Sequence, residues 1–381
     1  MAIMDRYLTP YIDELIKKKM ILLMGPRQVG KTTLAKSLTQ NHAYYNYDIK
    51  KDLKVFKDLQ WDQSKSLVIF DELHKMKNWK LWLKGICDDN YLARQKFLIT
   101  GSARLDIARK MGDSLAGRYF SMRLNPLDLK ELCQNKSKNS LEEDYKKLIS
   151  LSGFPEPFFE GSERFYNLWK KTHSDIIVRQ DLVSLEAVRD IDGIELLIEQ
   201  LSTRVGSTIS YNSLSEDLGR DDKTIKNWLR LLERMYIVFR VSPYSKNIAR
   251  SLKKAGKYYF YDCARVEGGE AQKLENLVAL SLKKEIEFQE DCNGREGDIH
   301  FIQTKEGHEI DFLIVQKKRP AHLFEVKLSD GTPSKNFRYF SDLFQKCKKI
   351  QLVRNLDREF TTREEVEVKS ALNYLAVLQM T

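Results

Sequence analysis

Gly25, Pro26, Arg27, Gln28, Val29, Gly30, Lys31, Thr32 and Thr33 contain the phosphate-loop pattern G-x-x-x-x-G-K-[ST]. Their chemistry follows from their types. A loop turned by glycines exposes backbone N–H groups as a concave anion site, and the helix start behind it adds roughly half a positive charge. Lys31 would reach the terminal phosphates of ATP, and the Thr32 hydroxyl would ligate Mg2+. Asp71 and Glu72 end the apolar run Leu67-Val68-Ile69-Phe70. Asp71 suits a second contact to Mg2+, and Glu72 suits orienting or deprotonating a water that attacks the γ-phosphate. Thr100 and Ser102 end a third run, Phe97-Leu98-Ile99, where a hydroxyl would sense that phosphate. Arg118 is a candidate arginine finger, acting in its own chain or from a neighbouring subunit; a surface ion pair would explain it as well.

A second group lies near the C-terminus. Glu309 to Val315 and Ala321 to Lys327 read as strands joined by a charged turn that ends in Pro320. A hairpin symmetric about Lys318 pairs positions that sum to 636, which sets Asp311 opposite Glu325. Carboxylates facing each other at about 5 Å repel and call for a cation. A divalent metal would serve, with Lys327 beside it on the same strand face; a structural salt bridge from Lys327 to either acid would serve too.

These residues need elements to hold them. Ile21 to Met24, Leu67 to Phe70 and Phe97 to Ile99 are short continuous apolar runs, as in parallel strands covered on both faces. Helical segments over Thr32–Gln40, Trp79–Asn90 and Ser102–Met111 alternate with them, a doubly wound α/β pattern. Gln134 to Asn139 reads as a polar linker, and Leu141 to Gln200 as mostly helical. Ser210–Leu218 and Lys223–Met235 form a helix-turn-helix pattern. In the second of these helices Ile225, Trp228, Leu229 and Leu232 make the core face, and Lys223, Lys226, Asn227, Arg230 and Arg234 lie on the other. Strand-like pieces Ile237–Val241 and Lys257–Tyr261 would form a wing. Val241 to Phe260 holds Lys246, Arg250, Lys253, Lys254 and Lys257 with no acid, so the wing reads as basic. This combination suits phosphate contacts, with Lys253 and Lys254 among the DNA-binding candidates, or a solvated face in a packing module.

The whole chain has 381 residues and a net charge of +10. Hydrophobic residues make up 42% and charged residues 31%, which excludes collagenous, disordered and disulfide-scaffold classes. No run reaches the ~18 apolar residues of a spanning helix, and Asp5, Arg6, Asp13 and Glu14 interrupt any signal peptide. Cys87, Cys133, Cys263, Cys292 and Cys347 show no metal or redox spacing. The expectation is a reducing, cytoplasmic setting with no membrane partner.

GPRQVGKTTLA, DELHKMKNW, LITGSA, SLAGR and SGFPEP, in this order, resemble a large prokaryotic family of AAA-type P-loop ATPases. Its C-terminal half is catalogued mainly as a domain of unknown function. The resemblance covers roughly residues 15 to 330 and implies ATP binding by residues 25–33 and Asp71-Glu72. Further on, Asp311, Glu325 and Lys327 resemble the PD-(D/E)XK nuclease superfamily, in which an Asp on one strand and Glu-x-Lys on the next hold Mg2+ and an attacking water. Glu275, in the leading helix, matches that superfamily's additional acidic position; Ile310 stands where a proline is usual.

The fold class expected is therefore α/β: a P-loop NTPase parallel sheet, then a winged-helix unit, then a PD-(D/E)XK nuclease-like domain. The boundaries expected are 1–135 for the ATPase, 136–192 for a helical lid, 193–265 for the winged helix and 266–381 for the nuclease-like part. Partners expected are ATP with Mg2+, a second Mg2+ or Mn2+ at the C-terminal site, nucleic acid (DNA rather than RNA), and other copies of the chain. The competing expectation is a nucleotide-controlled switch of the STAND kind that binds DNA or a protein and cuts nothing.

Overall fold

A computed structural model describes residues 4–89, 94–101, 115, 117–134, 140–177, 190–245 and 255–380. The chain divides into two compact units, residues 1–125 with 234–236, and residues 126–233 with 237–381.

The first unit is built on five strands: β1 (Met20–Met24), β2 (His42–Asn46), β3 (Leu67–Asp71), β4 (Lys96–Thr100) and β5 (Tyr119–Arg123). All pairings are parallel, in the order β2-β3-β4-β1-β5. The strands β1 and β3 are buried at every position, as continuous apolar runs require. Helices α1 (Thr9–Leu15), α2 (Lys31–Ser37), α3 (Leu53–Asp58) and α4 (Trp79–Asp88) belong to the same unit. The rings of Phe56, Trp61, Phe70, Trp82 and Phe97 pack into one cluster, with Phe70 and Trp82 centred 5.1 Å apart. Parallel pairing brings Met24, Asp71 and Thr100 to one edge of the sheet, the edge at which such sheets bind ligands. β4 lies between the strand that feeds the phosphate loop and the strand that ends in Asp71.

In the second unit, helices α5 (Leu129–Gln134), α6 (Leu141–Ser150), α7 (Pro155–Glu160), α8 (Glu163–Asp175), α9 (Ile191–Ser202), α10 (Tyr211–Leu218) and α11 (Asp222–Arg234) precede the strands. Then come β6 (Val238–Pro243), β7 (Lys257–Phe260), the long helix α12 (Glu270–Asn293), β8 (Gly297–Gln303), β9 (Glu309–Gln316), β10 (Arg319–Lys327), α13 (Lys335–Tyr339), β11 (Lys348–Val353), β12 (Phe360–Thr361), β13 (Val366–Ser370) and α14 (Ala371–Ala376). The strands form one sheet in the order β12-β13-β11-β10-β9-β8-β6-β7.

The units part at Asn125. Two links hold the second unit together. Lys284 makes the first link: it is buried on α12 and binds Asp128 at 2.9 Å, Glu131 at 2.7 Å and the Pro126 carbonyl at 3.0 Å, so residues 126–131 pack with α12. The hairpin β6–β7 makes the second link, because β6 pairs in parallel with β8 through Ser242↔His300 and Pro243↔Phe301.

Candidate functional sites

The phosphate loop turns sharply out of β1. Gly25 has φ +144°, and a Cβ there would lie 2.2 Å from the Leu124 carbonyl oxygen, so no other residue fits. Gly30, at φ +98°, precedes the first turn of α2. Lys31 is buried, and its Nζ donates to the Gly25 carbonyl at 2.9 Å and the Pro26 carbonyl at 2.5 Å. The loop is fixed from behind by a residue the sequence did not single out. Buried Arg6 donates to the Val29 carbonyl at 2.7 Å and the Asn125 carbonyl at 2.6 Å. A lone arginine ahead of the first helix carries no local signal for that role.

Asp71 is the convergence point of three strands. Its Oδ2 accepts from the Thr32 hydroxyl at 2.7 Å and from Tyr44 at 2.8 Å; its Oδ1 accepts from the Thr100 hydroxyl and from the Glu72 N–H at 3.0 Å. Burial alone would push its carboxyl up, but the hydroxyls of Thr100, Thr32 and Tyr44, with Lys31, outweigh it and hold the carboxyl below its usual range. Glu72 has the left-handed backbone φ +54°, which turns the chain away from β3. Burial raises its carboxyl, against the opposing pull of Lys75, 3.4 Å away. Thr32 and Asp71 thus offer two hard oxygen donors side by side, a fit for Mg2+ carried in by a nucleotide. Tyr44 was not foreseen; it lies on β2, whose polar character hid the strand.

Thr100 is fully buried against Asp71. Ser102 lies outside the described residues. Arg118 precedes β5 and is level with the residue before Met20, whereas the phosphate loop follows Met24. At about 3.3 Å per residue that is about 20 Å along the strand, so Arg118 does not reach its own chain's loop. It forms an ion pair with Asp88 at 2.9 Å.

In the second unit the hairpin register brings the C-terminal acids together by a different route from the one expected. The turn is two residues, Lys317 and Lys318, both left-handed at φ +48° and +63°. Arg319↔Gln316 and Pro320↔Val315 sum to 635; a bulge after Pro320 then shifts the pairing, so that His322↔Ile314, Leu323↔Leu313 and Phe324↔Phe312 sum to 636. One step further, Glu325 faces Asp311. Asp311 Oδ2 accepts from the Val326 N–H at 2.8 Å, and Lys327 lies 3.2 Å from Glu325.

Burial, with Glu275 and Glu325 close by, drives the Asp311 carboxyl well above its usual range; burial raises Glu325 too, against the pull of Lys327. Glu275, on α12, accepts from the Tyr259 hydroxyl at 2.7 Å. Lys327 beside Glu325 is the salt bridge the sequence allowed, and a second cation was not foreseen. Lys257, counted among the basic wing, is 1% exposed; it hydrogen-bonds Glu309 and sits 3.6 Å from Glu275. Among the described residues no three His, Cys, Asp or Glu side chains converge as a metal site. The second Mg2+ or Mn2+ expected here does not fit a cluster that already encloses an ammonium group.

On α11, Ile225, Trp228, Leu229 and Leu232 are buried as the periodicity requires. Lys223, Asn227, Arg230 and Arg234 are exposed, and Lys226 is half-buried over the Tyr211 ring, 3.5 Å from Asp222. Lys246, Arg250, Lys253 and Lys254 lie outside the described residues.

Comparison with known proteins agrees with this geometry. Residues 17–133 match a family model described as an AAA domain. Over these residues the chain is similar to AAA domains and has their P-loop parallel sheet. Residues 142–266 and 271–374 match two domains of unknown function, DUF8612 and DUF4143. An uncharacterized protein of Methanocaldococcus jannaschii is 24% identical over 339 residues, 79% of this chain and 73% of that one. One from Haemophilus influenzae is 24% identical over 343 residues, 80% of this chain and 82% of that one. Among solved structures, the Holliday junction branch migration motor RuvB of Thermotoga maritima aligns at 16% identity with a TM-score of 0.32, covering 61% of this chain and 87% of that one. The ORC1 protein of Aeropyrum pernix, in complex with DNA, aligns at 12% identity with a TM-score of 0.34, covering 72% and 93%. At such scores the alignments add nothing to the argument from the chain's own sheet and loop. Among the described residues no helix is long and apolar enough to cross a membrane.

Proposed function

We propose that the protein is a Mg2+-dependent ATPase whose nucleotide state controls nucleic-acid binding by the second unit, without cutting the nucleic acid. The observation that carries the ATPase reading is the Thr32–Asp71 hydrogen bond at the sheet edge where Lys31 emerges. Lys31 would exchange the carbonyls of Gly25 and Pro26 for the β- and γ-phosphates. Thr32 and Asp71 would hold Mg2+, which neutralises charge on the transferred phosphoryl group. Glu72, made more basic by burial, would orient the attacking water and take its proton. Thr100 acts through Asp71, whose orientation it fixes. Arg118, remote from its own loop, would serve a neighbouring copy in a homo-oligomer.

The order α9, α10, α11, β6, β7 supports a winged-helix reading, and the exposed Lys223, Asn227 and Arg230 supply a face for phosphate contacts. The order α12, β8, β9, β10, α13, β11, with Asp311, Glu325 and Lys327 on adjacent strands, supports a nuclease-like fold. Lys257 inside the acid cluster argues against cleavage and favours the switch.

The test measures ATP turnover and duplex-DNA affinity for wild type and Lys31→Ala, with and without ATP. Nucleotide-dependent DNA affinity, lost in Lys31→Ala, is expected. Wild-type turnover in that variant would remove the phosphate-loop assignment, and DNA affinity indifferent to nucleotide would remove the switch.

A further inference from the structure

Lys257 is the first residue of β7 and sits among the acids of α12 and β9. Its surroundings are built for an ammonium group. Glu309 accepts its hydrogen bond, Glu275 lies 3.6 Å away, and the Phe301 ring is centred 5.4 Å from Nζ, within cation–π range. The turn after α9 closes over the same acid: Gly206 has φ +80°, and a Cβ there would lie 2.5 Å from Glu275 Oε2. Tyr259, two residues along β7 on the same strand face, donates to Glu275 at 2.7 Å. On the other side Glu325 is served by Lys327 at 3.2 Å and by the Asn336 amide at 3.3 Å. The carboxylates of Glu275, Glu309, Asp311 and Glu325 therefore each meet a donor supplied by this chain. An isolated buried lysine would be costly; one paired and hydrogen-bonded in this way is tolerable, and leaving its acids unpaired would cost more.

We infer that Lys257 is the resident cation of this cluster, occupying the electrostatic role that a divalent metal fills in a metal-dependent nuclease, so that the second unit carries no Mg2+ or Mn2+ site at Asp311 and Glu325. The strand that would form the wing thus also supplies the counter-charge of the acid cluster. A second cation brought to Asp311 and Glu325 would be repelled by the Lys257 ammonium, which the neighbouring acids Glu275 and Glu309 hold in the same cluster. A unit charge about 8 Å from a divalent ion lowers its affinity by about a thousandfold at an effective dielectric near 20.

The test is a Mn2+ titration of the full chain without nucleotide, read by the electron paramagnetic resonance signal of free Mn2+. Wild type, Asp311→Asn, Lys257→Met and the double variant are compared, all in a Lys31→Ala background that silences the phosphate loop. Wild type and Asp311→Asn should bind Mn2+ alike. Lys257→Met should gain one site per chain, about a thousandfold tighter than anything Asp311-dependent in wild type, and the double variant should lose it. A Mn2+ site in wild type that Asp311→Asn abolishes would overturn the inference, and so would a folded Lys257→Met that gains none. If Lys257→Met fails to fold, the wild-type and Asp311→Asn pair decides alone. ATP turnover of the chains with an intact Lys31 reports separately on the proposed ATPase, so the two readings fail independently.

Discussion

Replacing Thr100 by Val tests how the ATPase site is held together. The two side chains have nearly the same shape, and Thr100 is fully buried, so packing is kept while the hydroxyl bound to Asp71 Oδ1 is lost. A hydrogen bond to a charged acceptor contributes about 1.5–3 kcal/mol, equivalent to about one to two pKa units. Asp71 keeps Thr32, Tyr44 and the Glu72 N–H, so its carboxyl should rise without reaching an ordinary value. The sign of the pH dependence follows. Asp71 has a depressed folded pKa, so its contribution to stability is present above the unfolded value of about 3.9 and is lost as the pH falls through the folded one. Thr100→Val should therefore be less stable than wild type by about 1.5–3 kcal/mol at neutral pH, and the gap should close as Asp71 protonates. Urea unfolding across a pH series measures both. An equal destabilisation at neutral and acid pH would refute the reasoning, since it would place the loss in packing.

Glu72→Gln should retain ATP binding while turnover falls about 10²–10⁴-fold, the usual contribution of a general base; near-normal turnover would move the water-positioning role elsewhere. Arg118→Ala should lose about 10³-fold or more in turnover, and mixing it with Lys31→Ala should restore activity, because each supplies what the other lacks. Unchanged turnover would leave Arg118 with a structural role, such as its ion pair with Asp88. His322 is half-buried beside Lys348, and desolvation first, then that charge, lowers its pKa to about 4. Its unfolded form takes up a proton near pH 6.5 while its folded form does not, so stability should fall as the pH drops from about 6.5 towards 4. His322→Gln should flatten that slope in urea unfolding at pH 7 and pH 5.

Legibility in the sequence tracked burial. β1, β3 and β4 were readable as apolar runs because both faces of the sheet are covered there. The edge strands β2 and β5 were not, because each has one fully buried residue and otherwise half-buried, largely polar ones. The phosphate loop and Asp71-Glu72 were legible because their chemistry is local in sequence. Arg6 and Tyr44 act on it from other elements, and nothing in their own neighbourhoods marks them. The hairpin shows a compensation: a turn shorter than assumed and a bulge combine to give the register that the symmetric arithmetic required. Lys257 shows the limit of counting charge along a chain. It adds to a basic run in sequence, yet its partners Glu275 and Glu309 come from α12 and β9. β12, β13 and α14 went unread, the strands being short or alternating with charged residues at the sheet margin.

The contact between Gly25 and Leu124 changes what the two ends of the phosphate-loop motif say about descent. Gly25 is required by the carbonyl of Leu124, a neighbour within the scaffold, and that requirement holds whether or not a nucleotide ever binds. Lys31 and Thr32 answer to the ligand instead. In a lineage that abandons ATP, the lysine and threonine would be free to drift while the first glycine stayed. A relative that keeps only Gly25 would therefore be an intact fold that has retired from hydrolysis, and its glycine should not be counted as a trace of activity.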